Sequence, residues 1–190
     1  MIINLKEIYT KSNLLSLLRL LLVIPFWFLL DNFNNPGIRY FTFGLCLFAA
    51  ITDILDGYLA RKFNEVTELG KIIDPLADKI AIGVIIVKLY LIGIIPEYYF
   101  IMIVGRDLLI FLGGIFITKR IKRVLPSNML GKLTVINIGI VILLFILRID
   151  TTHLVFKMIY GLSIVLIFVS LIGYTIRATE FLKQKEYESI

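Results

Sequence analysis

At 190 residues, 59% of them hydrophobic and 18% charged, with a mean hydropathy of +0.93, the chain is too apolar for a water-soluble globule. It reads as one polytopic, all-α membrane domain over 1–190. The formal net charge of +6 does not point to nucleic acid, because the basic residues are sorted by membrane side and are not gathered into one patch.

Residues 2–11 mix apolar and charged positions, which predicts a short helix lying along the membrane surface within a juxtamembrane segment, 1–12. A first span covers 14–30, and the run from Asp31 to Gly37 reads as a turn. No small-residue cleavage site follows the first apolar run, so it is expected to be retained as a span. Asn13, Ser16 and Arg19 recur at three-residue spacing along one face of its beginning.

The second span opens near Tyr40. From Tyr40 to Ile51 is 12 residues, about 18 Å of helix, whereas the hydrocarbon core is about 30 Å thick. A span starting there must therefore run on through Asp53 and Asp56. The third span meets the same limit from its other end. Ile80 to Ile95 is too short alone and must include the turn holding Asp74 and Asp78. Single Cys46, inside the second span, permits no internal disulfide and reads as packing.

Gly93 to Glu97 forms the next turn, and a fourth span over 98–118 carries Arg106 and Asp107. Lys119 to Ser127 is a basic loop, Gly131 to Leu147 a fifth span, and Arg148 to His153 the third outer turn, after those at 31–37 and 93–97. His153 there reads as a solvated loop residue, and Tyr98, Tyr99 and Phe100 read as an interfacial belt. A sixth span ends near Arg177, and the charged tail 178–190 is expected to start helical and then fray. Fifteen of the 20 Lys and Arg fall in the segments 6–19, 61–79, 119–132 and 177–185. Arg39, Arg148 and Lys157 fall on the other side, and Lys88 and Arg106 lie within spans, where Lys88 is expected to snorkel or pair. The bias places the charged segments and both termini in the cytoplasm and favours anionic lipid headgroups.

The chemistry gathers between Asp53 and Asp78. The stretch reads Asp53-x-x-Asp56-Gly57-x-x-Ala60-Arg61, eight residues, then Gly70-x-x-x-Asp74-x-x-x-Asp78. Helical spacing puts Asp53 and Asp56 on one face, and Asp74 and Asp78 on one face of another helix. A charge deep in a membrane helix costs about 2.5–3.5 kcal/mol on insertion scales, so four of them are expected to line a site. Paired carboxylates suit a hard divalent cation, and four of them suit two. Interfacial charges paired with Arg61, Lys62, Lys71 and Lys79 are the bland alternative. A divalent-cation carrier is the rival of a different class, but it would place acidic groups near the midplane, often in repeated halves. No repeat is visible here.

The stretch resembles, at every fixed position, the motif of the CDP-alcohol phosphotransferases, and the six-span layout extends the likeness over most of the chain. These membrane enzymes move a phosphatidyl or similar group from a CDP-linked donor to an alcohol and release CMP. The resemblance implies that Asp53, Asp56, Asp74 and Asp78 hold two divalent ions, Mg²⁺ or Mn²⁺. It implies that Asp78 is the base for the acceptor hydroxyl, and that Asp53, Gly57, Ala60, Arg61 and Gly70 border the donor's cytidine diphosphate. It also implies a homodimer.

Gly131-Lys132-Leu-Thr134, Asp74-Pro-Leu-Ala-Asp78-Lys79 and Asn13-x-x-Ser16-x-x-Arg19 resemble stretches of the phosphatidylglycerophosphate synthase subfamily. In that subfamily CDP-diacylglycerol donates and glycerol 3-phosphate accepts. Arg106, Lys132, Arg120 and Arg123 are then the expected partners of the acceptor's phosphate. Arg106-Asp107 departs from the subfamily's usual Arg-Glu and is more like the CMP-releasing cardiolipin synthases, whose acceptor is phosphatidylglycerol. Both acceptors carry a phosphate, and the basic residues do not separate them; glycerol 3-phosphate is the expected acceptor, with phosphatidylglycerol the alternative.

Overall fold

The computed structural model describes residues 11–62, 70–121 and 129–188. These form six α-helices, with no strand among the described residues: α1 Lys11–Asp31, α2 Pro36–Lys62, α3 Gly70–Leu91, α4 Glu97–Ile121, α5 Met129–Ile146 and α6 Leu154–Glu188. The surface helix expected over 2–11 lies outside the described residues, apart from Lys11 at the start of α1. Four helices carry stretches long and apolar enough to cross a bilayer: Pro36–Leu55, Glu97–Thr118, Met129–Ile146 and Leu154–Leu182. α1 contributes a shorter apolar stretch, Leu20–Asp31. α3, about 33 Å long, has the length, but Lys71, Asp74, Asp78 and Lys79 interrupt its apolar run. The chain is an integral membrane protein. It divides into two compact units, Met1–Ile94 and Ile95–Ile190.

In the first unit, α1 and α2 are joined by the turn Asn32–Asn35, as the Asn, Pro and Gly content of that run predicts. Asn35 caps α2: its Oδ1 accepts from Gly37 N at 2.8 Å, and Pro36 takes the first helical position, where a missing N–H costs nothing. α1 packs on both α2 and α3. It buries Phe26 and Leu30, and α3 buries Ala81, Ile86 and Leu89. At one end, buried Lys88 of α3 forms an ion pair with Asp31, the last residue of α1. The Lys88 Nζ also sits 4.4 Å from the centre of the Trp27 ring. Lys88 thus pairs, one of its two expected roles. The pair ties the C-terminal ends of α1 and α3 together, so these helices run parallel, and the tight turn makes α2 antiparallel to α1. The last turns of α2 and the first turns of α3 consequently share the end of the unit opposite the 32–35 turn. α3 stops at Gly93, whose φ of 71° permits a reversal in which Ile94 N donates to Leu89 O at 2.9 Å and Gly93 N to Tyr90 O at 2.9 Å.

In the second unit α6 packs against both α4 and α5. Tyr99 is fully buried and shares a 2.6 Å hydrogen bond with Ser163 of α6. It does not belong to an interfacial belt, because its ring lies 4.7 Å from that of Tyr160 in a cluster with Phe145 and Phe156. Its neighbour Tyr98 is exposed and accepts from the Tyr160 hydroxyl at 2.8 Å. α5 ends in a reversal like that of α3, with Ile149 N donating to Leu144 O at 3.1 Å, although Arg148 holds the positive φ, 51°. In the following loop the Asp150 carboxylate accepts from Thr152 N at 2.8 Å. The charged tail starts helical, as expected, and the helix runs on to Glu188.

Removing the carboxylate from Asp31 leaves a buried ammonium without its anion. Asp31→Ala is therefore expected to lower stability by about 1–3 kcal/mol, measured as a lower melting temperature in detergent, with Asp31→Glu losing less. The Thr152 hydrogen bonds, helped by His153 and Lys157, hold the Asp150 carboxyl below its ordinary value of 3.8. A lowered folded-state pKa means that its contribution is present above 3.8 and is lost as pH falls through the folded value. The melting-temperature deficit of Asp150→Ala at pH 7 should accordingly shrink in strong acid.

Candidate functional site

α2 is 27 residues long, about 40 Å, and exceeds the hydrocarbon core of about 30 Å. Its last turns lie at or beyond the edge of the apolar window, which closes at Leu55. Asp53 is inside that window and exposed, whereas adjacent Thr52 is buried and donates its hydroxyl to Ala49 O at 2.8 Å. Consecutive helix residues point about 100° apart, so one of the two turns inward and the other outward. The same period places positions 53, 56, 57 and 60 within an arc of about 100°, with 61 at its margin. On α3, positions 70, 74 and 78 fall on one stripe at four-residue steps, and the helix passes through 75 without a break.

The motif therefore occupies two helical stripes at one end of the first unit; the apolar window of α2 opens at Pro36, earlier than Tyr40, and reaches Leu55 without needing Asp56. The side chains of Asp56, Arg61, Asp74 and Asp78, like those of Asn13, Ser16 and Arg19, lie outside the described residues. So does the expected convergence of the four carboxylates. Among the described residues no group of three metal-ligating side chains occurs.

The second unit holds the other expected charges. Arg106 on α4 is 6% exposed and engages three helices. Its Nη1 donates to Asp107 Oδ1 at 2.5 Å, its Nε to Ser170 Oγ on α6 at 3.2 Å, and its Nη2 reaches Gly131 O in the first turn of α5 at 3.5 Å. A Cβ at Gly131 would meet the guanidinium at 3.4 Å, an ordinary van der Waals contact. The Asp107 side chain remains 46% exposed. Lys132, next along α5, is exposed. Arg120 lies in the last turn of α4 with its side chain outside the described set, and Arg123 lies outside it altogether.

Thr134, singled out with Gly131 and Lys132, is fully buried. Its hydroxyl is shared between Leu130 O at 2.7 Å and Leu166 O of α6 at 3.2 Å. It fastens α5 to α6. Sequence reasoning missed Ser170 and Ser163. The available signal was their seven-residue spacing in an apolar helix, which matches the seven residues from Tyr99 to Arg106. The two pairs show that α4 and α6 run parallel. Further along, Gly113 and Gly114 of α4 receive Tyr174: a Cβ at Gly113 would come within 3.3 Å of its ring and one at Gly114 within 3.1 Å of its hydroxyl.

A model of the CDP-alcohol phosphatidyltransferase family matches residues 9–173. A protein of Aquifex aeolicus named CDP-diacylglycerol–glycerol-3-phosphate 3-phosphatidyltransferase is 32% identical over 173 residues, 87% of this chain and 93% of the relative. Proteins of the same name from Rickettsia felis and Bacillus subtilis are 40% identical over 98 residues and 37% identical over 89 residues. Those two alignments cover 52% and 47% of this chain and 54% and 46% of the relatives.

Proposed function

Because the chain belongs to the CDP-alcohol phosphatidyltransferase family, we propose that it transfers the phosphatidyl group of CDP-diacylglycerol to glycerol 3-phosphate and releases CMP, a step of phospholipid biosynthesis. The observation that carries this reading is the Asp53–Asp78 motif, set on two helix ends at one end of a membrane-embedded unit. The relatives named for this reaction support the choice of acceptor.

The donor set fits a divalent metal. Asp53 is exposed in the last turn of the apolar window, shares its stripe with position 56, and all four candidate ligands are carboxylates, the hard oxygen donors that Mg²⁺ or Mn²⁺ prefers. Asp53, Asp56, Asp74 and Asp78 would hold two such ions, which when bound neutralise the pyrophosphate charge and favour departure of CMP. Gly57 and Ala60 keep the α2 stripe free of bulk, and with Gly70 they let the cytidine diphosphate approach the backbone. Arg61 supplies a fixed cation for its phosphates.

Asp78 takes the proton of the acceptor's primary hydroxyl as that oxygen bonds to the phosphatidyl phosphorus. The bond from this phosphorus to the bridging oxygen breaks, and CMP leaves with that oxygen. Arg106 and Lys132 bind the acceptor's phosphate, with Arg120 and Arg123 adding positive charge. The distribution of basic segments supports a cytoplasmic site, where nucleotide and glycerol phosphate are in water and the acyl chains stay in lipid.

The deciding assay incubates the purified chain with CDP-diacylglycerol, Mg²⁺ and either glycerol 3-phosphate or phosphatidylglycerol. CMP release with glycerol 3-phosphate is expected, abolished by chelation and restored by Mg²⁺. Release with phosphatidylglycerol alone would reassign the acceptor, and release with neither, other alcohols also failing, would count against the transferase. Asp78→Asn should lower kcat on the order of 10²- to 10⁴-fold while donor binding stays measurable. Lys132→Ala should raise the KM for glycerol 3-phosphate more than that for the donor, and an unchanged acceptor KM would remove Lys132 from the phosphate site.

A further inference from the structure

We propose that Ser170 is a positioning residue for the acceptor, setting the plane of the Arg106 guanidinium that binds the acceptor's phosphate. The inference rests on the reading of Arg106 given above. An arginine side chain is long, and its guanidinium can rotate about the bond that ends at Nε. A hydrogen bond at Nε fixes that plane and with it the direction of both Nη groups. Ser170 supplies this bond from α6: its Oγ accepts from Arg106 Nε at 3.2 Å.

The serine is itself held. It is 2% exposed and donates its single O–H to Ile167 O at 2.9 Å, which leaves its lone pairs for the arginine. Arg106, Ser170 and the Ile167 carbonyl thus form a chain of hydrogen bonds ending on the α6 backbone. With Nε committed, the Nη edge faces Asp107 and the Gly131 carbonyl. Asp107 takes one Nη1 hydrogen, at 2.5 Å. Of the five guanidinium N–H groups, three have these partners, and among the described residues two are left for phosphate oxygens. Ser170 itself does not touch substrate. It limits the orientations that the guanidinium must give up on binding, and that saving appears in acceptor affinity.

Initial rates of CMP release by the purified full chain, with each substrate varied in turn, test the proposal. Ser170→Ala should raise the KM for glycerol 3-phosphate about three- to tenfold, with kcat and the donor KM within about twofold of the parent. Inorganic phosphate should weaken in parallel as a competitor of the acceptor. Ser170→Thr, which restores a hydroxyl, should recover the acceptor KM at least in part. In an Arg106→Ala background the serine substitution should add nothing further.

An acceptor KM that rises in Arg106→Ala but stays at the parent value in Ser170→Ala would overturn the positioning role and leave the Arg106 reading intact. An unchanged acceptor KM in Arg106→Ala would overturn both. A fall in kcat with both KM values unchanged would assign Ser170 to packing alone and equally overturn the proposal. If the alanine variant does not purify, Ser170→Cys keeps the shape with a poorer acceptor, and the same rise or constancy of the acceptor KM decides.

Discussion

A charge held where water is scarce must have a partner, and this requirement organises both units. The cost of an isolated ion in hydrocarbon exceeds the value of most single contacts in a folded chain. In the first unit the buried Lys88 ammonium is met by Asp31 at the end of α1 and by the face of Trp27. That meeting aligns two helices whose apolar surfaces alone would allow them to slide. In the second unit the Arg106 guanidinium is met by its own neighbour, by a serine of α6 and by a carbonyl of α5. A long, delocalised cation with donors in several directions can satisfy itself against three helices at once, which a lysine could not do as well.

The same requirement explains why α4 and α6 are matched along their length. Apolar side chains gain little from meeting each other when lipid is the alternative, so register between membrane helices comes from small and polar residues. Here the Tyr99–Ser163 and Arg106–Ser170 pairs repeat after seven residues on each helix, the step that keeps two parallel helices facing one another. The Tyr174 ring against Gly113 and Gly114 continues the contact. Thr134 adds a bond from α5 to the α6 backbone. The residues proposed to bind the acceptor's phosphate are therefore carried on a scaffold in which polar groups, more than shape, specify the arrangement.

Carboxylates at the end of a membrane unit are the counterpart of these paired cations. Lys88 is committed elsewhere, tied to Asp31 at the end of α3 opposite Asp74 and Asp78. Aspartates kept at the edge of the apolar stretch can meet a nucleotide diphosphate arriving from water, while neighbouring exposed apolar surface such as Ile51, Ile54 and Leu55 suits acyl chains.

By itself the sequence determined the all-helical class, the positions of the turns and the spacing of the aspartates. These depend on local signals: apolar run length against bilayer thickness, an Asn-Pro-Gly turn, a Gly able to hold positive φ, and the helical period. The demand that the second and third spans include Asp53–Asp56 and Asp74–Asp78 was a length argument, and α2 and α3 do include those residues. Only the tertiary structure decided which polar residues are committed to one another. Tyr99 looked interfacial and is buried, Thr134 stood in a stretch resembling the subfamily and fastens two helices, and the spacing of Ser163 and Ser170 did not by itself name their partners. Each of these outcomes depends on a partner 32 or 64 residues away, and a hydrogen bond over that separation exists only once helix register has brought donor and acceptor within about 3 Å.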